Sequence, residues 1–298
     1  MALPAAPPAD LLAPDFLRKL ERLHLVSRRV FAGRGWGERR SSKRGASVEF
    51  ADFRNYADGD DLRHLDWNAF GRLDRLFIKL FVEEEDLAVH VLVDASRSMA
   101  YGDPPKIDYA RCTAAALAYL GLCGFDRVAL WAYGERLRAS FGPVRGKANA
   151  RGCLHWLAAL EADGGTSTGA ALRELALRAK RPGLAIVISD FLDPDHAQGL
   201  RALAARRFEV VAIHLLDQAD LEPRLAGDLK LVDAETGAER EITVTQGLLR
   251  AYRRSLAEFC GGLDDTCRRC GITLVRTSTA QPFTDLVLGY LRRRGVVK

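Results

Sequence analysis

The sequence lacks several features that would decide its class at once. No apolar run is long enough to cross a bilayer, and the longest uncharged stretch, around Thr113 to Phe125, lies between Arg111 and Asp126. The first ten residues are Pro/Ala-rich and carry no basic residue, so the charged start of a secretory signal is missing and a cytoplasmic location is the expectation. No P-loop lysine motif occurs. Gly33-Arg34-Gly35-Trp36-Gly37 neither follows a strand nor matches the dinucleotide fingerprint, which leaves nucleotide binding without support. Of the six cysteines (Cys112, Cys123, Cys153, Cys260, Cys267, Cys270) only Cys267 and Cys270 have ligand-like spacing. A zinc site needs a second pair, so free thiols are expected.

What is present is an ordinary globular composition, 48% apolar and 28% charged, in a chain of 298 residues that can bury a large core. The net charge of +5 is unevenly spread: seven of the seventeen residues from Arg28 to Arg44 are Arg or Lys. Such a cluster reads as a solvated or protein-contacting arm, with binding of nucleic-acid phosphates as the alternative.

From Ala88 onward strand and helix signals alternate. Strands are expected at 88–93, 126–133, 184–189, 208–215 and 272–276, with an edge strand at 136–141. Helices are expected at 107–122, 148–162, 169–179, 197–206, from 247 to 260 or beyond, and at 282–294. A β-hairpin insertion near 229–245 turns about Glu235-Thr236-Gly237. This rhythm predicts an α/β fold, a Rossmann-like doubly wound and mostly parallel sheet. Residues 1–14 read as a disordered terminus. Residues 15–87 form a helical and irregular N-terminal extension, with a helix expected at 15–31, and 88–298 form the sheet domain.

The candidate site lies where buried strands end. Asp94-Ala95-Ser96-Arg97-Ser98 follows the apolar run 87–93, and alternate side chains of an extended segment share a face, so Asp94, Ser96 and Ser98 can converge. Thr166, in Gly165-Thr166-Ser167-Thr168-Gly169, and Asp190, which ends the run 184–189, come from other loops that a parallel topology brings to one edge. An oxygen-only set suits a hard cation, Mg²⁺ with Mn²⁺ as the alternative, bound at about 2.0–2.1 Å. If hydroxyls bind directly and both carboxylates act through water, the cation stays electrophilic and attracts an outside carboxylate. Thr166 and Thr168 both qualify as the loop ligand. The plainer reading makes these residues loop formers and helix caps.

Two enzymatic readings use the same residues. A phosphatase of the haloacid dehalogenase type needs a second Asp where Ser96 stands. A serine hydrolase using Ser167 fits G-x-S-x-G, but that elbow requires a strand before it, and 157–162 reads as a helix. No catalytic residue is therefore assigned.

The segment Glu49 to Trp67 alternates aromatics with opposite charges. It reads as a charged collar on the sheet domain with Trp67 and Phe70 as anchors, or as a docking surface. Its motif, Arg54-x-Tyr56-x-x-Gly59-Asp60-x-x-Arg63-x-x-Asp66-Trp67, followed by Arg72, Lys79 and Glu83, resembles the signature of the bacterial domain of unknown function 58 family. The resemblance runs from about Gly45 to Asp217. It implies a von Willebrand factor A-like fold whose metal-ion-dependent adhesion site (MIDAS) matches Asp94, Ser96, Ser98, Thr166 and Asp190. It also implies a non-enzymatic, chaperone-like adaptor role beside a MoxR-type AAA+ ATPase. The partner, that ATPase or a client protein, would bind through an acidic residue. Many relatives have membrane spans before this region; none is seen here.

Overall fold

The structure, a computed structural model, describes residues 11–25, 48–57, 65–73, 75–83, 87–235 and 237–298. The basic segment 28–44 and the motif residues Gly59, Asp60 and Arg63 lie outside the described residues. In chain order the elements begin with α1 (Pro14–Leu20), β1 (Val48–Asn55), α2 (Trp67–Leu73) and β2 (Phe77–Glu83). Then come β3 (Ala88–Asp94), α3 (Lys106–Cys123), β4 (Arg127–Tyr133), β5 (Leu137–Val144), α4 (Ala150–Ala158) and α5 (Thr168–Arg178). β6 (Leu184–Ser189), α6 (His196–Ala205), β7 (Glu209–Leu216) and α7 (Gln218–Leu221) follow. The hairpin β8 (Gly227–Val232) and β9 (Glu239–Val244), α8 (Gln246–Cys270) and β10 (Thr273–Ser278) precede a C-terminal helical stretch whose middle, Leu286–Tyr290, is π-helical.

The chain divides into two compact units, Ala32–Asp86 and Met1–Phe31 with Leu87–Lys298. In the smaller, β1 and β2 pair antiparallel, with a register shift between Phe50 and Asp52. That bulge interrupts the two-residue alternation on which a strand is read from sequence, and so this hairpin was not among the expected elements. Asp66 caps α2: its Oδ1 accepts from the backbone N–H groups of Asn68 (2.9 Å) and Ala69 (3.1 Å). Trp67 is 65% exposed and Phe70 38%, the two rings meeting edge-on at 6.4 Å.

The larger unit is built on a six-stranded sheet in the order β10-β7-β6-β3-β4-β5. All pairings are parallel except β5 against β4 at one edge. This is the doubly wound, mostly parallel α/β architecture expected from the sequence, and the one the von Willebrand factor A-like resemblance implied. Alternation within β3 explains both layers. Val89, Val91 and Val93 pack with Leu117 and Leu120 of α3 in one core, while Leu92 joins Leu172 and Leu175 of α5 and Leu200 and Leu203 of α6 in the other. Each such fully buried aliphatic side chain contributes roughly 1.5–3 kcal/mol. Adjacent β3 and β6 send the chain in opposite directions across the sheet, to β4 and to β7, with α3 and α6 in opposite cores. Their carboxyl ends therefore form a topological switch point, where α/β sheets open a crevice.

Elements around this frame differ in extent from the sequence reading. The expected 15–31 helix is α1, Pro14–Leu20; beyond it Leu25 bridges Val297, and His24 and Lys298 exchange backbone hydrogen bonds of 2.9 Å. α8 runs on to Cys270 and ends on Gly271 in the left-handed conformation, φ 66°. α5 and α6 cross closely because of glycine: a Cβ on Gly199 would stand 2.9 Å from the Gly169 Cα. All six cysteines carry free thiols.

One core histidine couples stability to pH. His214 of β7 is fully buried, edge-on to Phe191 and Phe259, and its Nδ1 accepts from Arg276 Nε at 3.2 Å. Among the described residues its Nε2 has no hydrogen-bond partner. Burial first, then the Arg276 charge, push its pKa down from 6.5 to about 4. The unfolded chain therefore binds the proton over that interval and the native state does not, so the stability that His214 contributes falls as pH drops from 6.5 to about 4. The loss is on the order of 3 kcal/mol. Relative to the wild type, His214→Leu is expected to gain urea midpoint as pH drops through this interval; a difference between the two that does not change with pH would assign acid sensitivity to other groups.

Candidate metal centre

β3 ends at Asp94, whose carboxylate is fully buried. Its Oδ1 accepts from the Ser96 N–H (3.0 Å) and its Oδ2 from the Ser189 hydroxyl (2.6 Å), which ties the first loop to the end of β6. Burial, and next the Asp190 carboxylate, push the Asp94 pKa up to about 7. After Asp94 the chain enters a 3-10 turn, Arg97–Ala100, with Ser96 at its start and fully buried. The hydroxyls of Ser96 and Ser98 are 3.1 Å apart, and Ser98 Oγ donates to Asp190 Oδ2 at 3.1 Å. The structure thus joins three of the five expected residues in one chain of oxygens, with Asp94 behind them.

Thr166 belongs to a loop held against the first loop and the β4–β5 turn by backbone hydrogen bonds. Arg97 N–H donates to Gly164 C=O (2.9 Å), Asp163 N–H to Ala95 C=O (3.0 Å), and Ser167 N–H to Gly134 C=O (3.1 Å). The Arg138 guanidinium, projecting from β5, donates to the carbonyls of Ala95 (3.0 Å) and Asp163. Within this loop Ser167 is the N-cap of α5, accepting from Ala170 N–H at 3.4 Å, and no strand precedes it. The nucleophile-elbow geometry required by the hydrolase reading is therefore absent at Ser167. Thr168 is fully buried and donates its N–H to Asp193 Oδ2 at 2.8 Å.

Four residues near the site carried no isolated sequence signal. Lys106, at the start of α3, is 2% exposed and donates to Asp190 Oδ2 at 2.7 Å and to Asp220 Oδ2 at 3.4 Å. Burial opposes its charge, but Asp190 and Asp220 outweigh burial and hold its pKa above the ordinary value. Glu235, at the tip of the β8–β9 hairpin, accepts from both the hydroxyl (2.7 Å) and the backbone N–H (3.0 Å) of Thr166. Ser189 and Arg138 complete the four. A lysine at a helix start and a glutamate in a turn are unremarkable in sequence; only tertiary placement distinguishes them.

The two serine hydroxyls have the spacing that a small oxygen-seeking cation would need. Neighbouring ligands of an octahedral Mg²⁺ lie about 2.9 Å apart when each is at about 2.0–2.1 Å. The Ser96–Ser98 separation of 3.1 Å is close to that edge. Among the described residues the hydroxyls of Tyr133 and Thr168 are buried without a partner that meets hydrogen-bond geometry; Tyr133 is the β4 residue paired with Asp94. Burial and the Asp94 charge push the Tyr133 phenol well above its usual range. Asp190 is differently placed from a direct ligand. Lys106 and Ser98 share its Oδ2, and Leu192 N–H reaches its Oδ1 at 3.2 Å, so it would act on a cation through intervening groups. Among the described residues no three His, Cys, Asp or Glu side chains gather as a metal cluster; this set has two carboxylates and is completed by hydroxyls.

Residues 52–258 match the family model described as "Protein of unknown function DUF58". The chain belongs to this family. DUF58 relatives include the uncharacterized proteins Rv1480 of Mycobacterium tuberculosis and Mb1516 of Mycobacterium bovis, each 31% identical over 97% of this chain and 93% of their own length. Among solved structures, the chain is similar to BatB of Bacteroides thetaiotaomicron, with TM-score 0.43 and 13% identity over 70% of this chain and 98% of that one. An aerotolerance-related membrane protein of Bacteroides fragilis matches with TM-score 0.41 and 12% identity, over 70% and 99%. Relations this distant do not transfer function. No helix among the described residues of this DUF58 chain is long and apolar enough to cross a membrane.

Proposed function

We propose that this DUF58 protein is a non-enzymatic, metal-dependent protein-binding module, cytoplasmic, using Mg²⁺ or Mn²⁺ at Ser96, Ser98 and Thr166 with Asp94 and Asp190 behind them. Its partner is a MoxR-type AAA+ ATPase, or a client protein delivered with one, that presents an acidic side chain. The observation that supports this most is the run of oxygens Ser96–Ser98–Asp190 at 3.1 Å spacings, at a topological switch point of the sheet. A bound cation would supply an electrophilic coordination position for the partner's carboxylate. The chain's own residues do the rest. Asp94 orients the loop through Ser96 N–H, the hydroxyls present lone pairs, and Lys106 keeps the Asp190 charge balanced. The non-enzymatic reading is supported by Ser167, whose hydroxyl is engaged as a helix cap.

The test is retention of the purified chain on an immobilised MoxR-type ATPase from the same genome. Retention in Mg²⁺ that falls at least tenfold in EDTA, and equally in Ser98→Ala, is the expected result. Equal retention with and without EDTA overturns the metal dependence. The nucleic-acid reading rests on Arg28 to Arg44, outside the described residues, and no structural observation favours it.

A further inference from the structure

The tip of the β8–β9 hairpin is shaped to present one carboxylate. Asp233 Oδ1 accepts from the Glu235 N–H at 3.0 Å, and Gly237, at φ 71°, returns its N–H to the Asp233 carbonyl at 2.9 Å. Held in this turn, Glu235 places one oxygen on the Thr166 hydroxyl and the other on the Thr166 N–H. Arg97, within the Asp-x-Ser-x-Ser loop, pairs with Asp163 of the Thr166 loop at 2.7 Å and reaches the Ala234 carbonyl of the tip at 3.5 Å. Along its length the hairpin buries little: Leu231 and Val232 are exposed, and the strands are tied to each other by Lys230–Glu239 and Thr243–Asp228. An element attached by polar contacts at one end, with few buried apolar contacts, belongs to the low-stability part of a fold and opens readily.

The 2.7 Å between Glu235 Oε1 and Thr166 Oγ1 also approximates the edge between two neighbouring ligands of an octahedral cation. A carboxylate from another protein, bound beside Thr166, would need the place Glu235 holds. We propose that the β8–β9 hairpin is an internal competitor at this site: Glu235 is the own-chain carboxylate ligand, and an acidic partner binds by displacing it. This rests on the metal reading above. Because the competitor is tethered, its effective concentration is in the millimolar range, so a partner with one weakly held carboxylate is excluded. A partner that also engages the hairpin, or that offers several contacts, is admitted.

Bound Mn²⁺ serves as the probe, read by water-proton relaxivity, with amide exchange at Thr166 as the second readout. In Glu235→Ala a water replaces the carboxylate, and relaxivity per bound ion is expected to rise about 1.5-fold, as inner-sphere waters go from two to three. Added acetate then lowers the relaxivity of Glu235→Ala but leaves that of the wild type unchanged. The Thr166 amide is expected to exchange at least tenfold faster in Glu235→Ala, with Glu235→Gln between the two. Mn²⁺ bound with equal relaxivity in wild type and Glu235→Ala overturns this inference and leaves the metal site standing. No Mn²⁺ binding by the wild type overturns both.

Discussion

Asp94→Asn is expected to abolish the response of thermal stability to Mg²⁺ while leaving the fold intact. At a hundredfold excess over its dissociation constant, a ligand of the native state alone stabilises by about 2.7 kcal/mol. For a chain of this size that is a shift on the order of 5–10 °C. Asn is nearly isosteric and keeps an oxygen for the Ser96 N–H, so the loop is retained. It lacks the charge that a cation held by neutral hydroxyls needs close behind it. The variant should not lose stability of its own at pH 8 in EDTA. The native-state pKa of Asp94 is raised from 3.8 to about 7. Its contribution is therefore fully present below 3.8 and lost as pH rises through about 7, and above that the buried charge costs the folded state. Asn removes that cost. Melting curves with MgCl₂ and with EDTA decide the matter, and a variant that gains as much from Mg²⁺ as the wild type would exclude Asp94 from any cation site.

Lys106→Met is expected to be the most destabilising single change near the site. Lys106 and Asp190 are both 2% exposed and 2.7 Å apart, so removing the ammonium leaves a carboxylate buried and uncompensated. Breaking a buried pair from one side costs about 3–5 kcal/mol. That corresponds to a fall in melting temperature on the order of 10 °C. Two features separate this mechanism from lost packing. First, Lys106→Met with Asp190→Leu should recover at least half the loss, because an ion pair replaced from both sides is near neutral. Second, Mg²⁺ should raise the melting temperature of Lys106→Met more than that of the wild type, since a cation among the nearby hydroxyls replaces part of the missing charge. A single-variant loss below about 1 kcal/mol would show that the ammonium does not carry the balance of charge at Asp190.

Much of this architecture was legible before the structure. The strands at 88–93, 184–189 and 208–215 are short, β-branched and bounded by turn residues, and each lies within one residue of its observed limits. Hydroxyl and carboxylate positions at strand ends pointed to one rim, since parallel strands share their carboxyl edge. The β1–β2 hairpin was missed because a bulge between Phe50 and Asp52 breaks the alternation.

The amino-acid order alone determined which residues could share a face and which loops could leave the sheet at one edge. Those depend on local periodicity and strand direction, quantities a single segment carries. Only the tertiary structure decided which charges meet there. Lys106 reaches Asp190 across 84 positions and Glu235 reaches Thr166 across 69, because folding closes those distances through the packing of whole layers. Energies between charges depend on separation and on exclusion of water. Neither is written in a residue's neighbours along the chain.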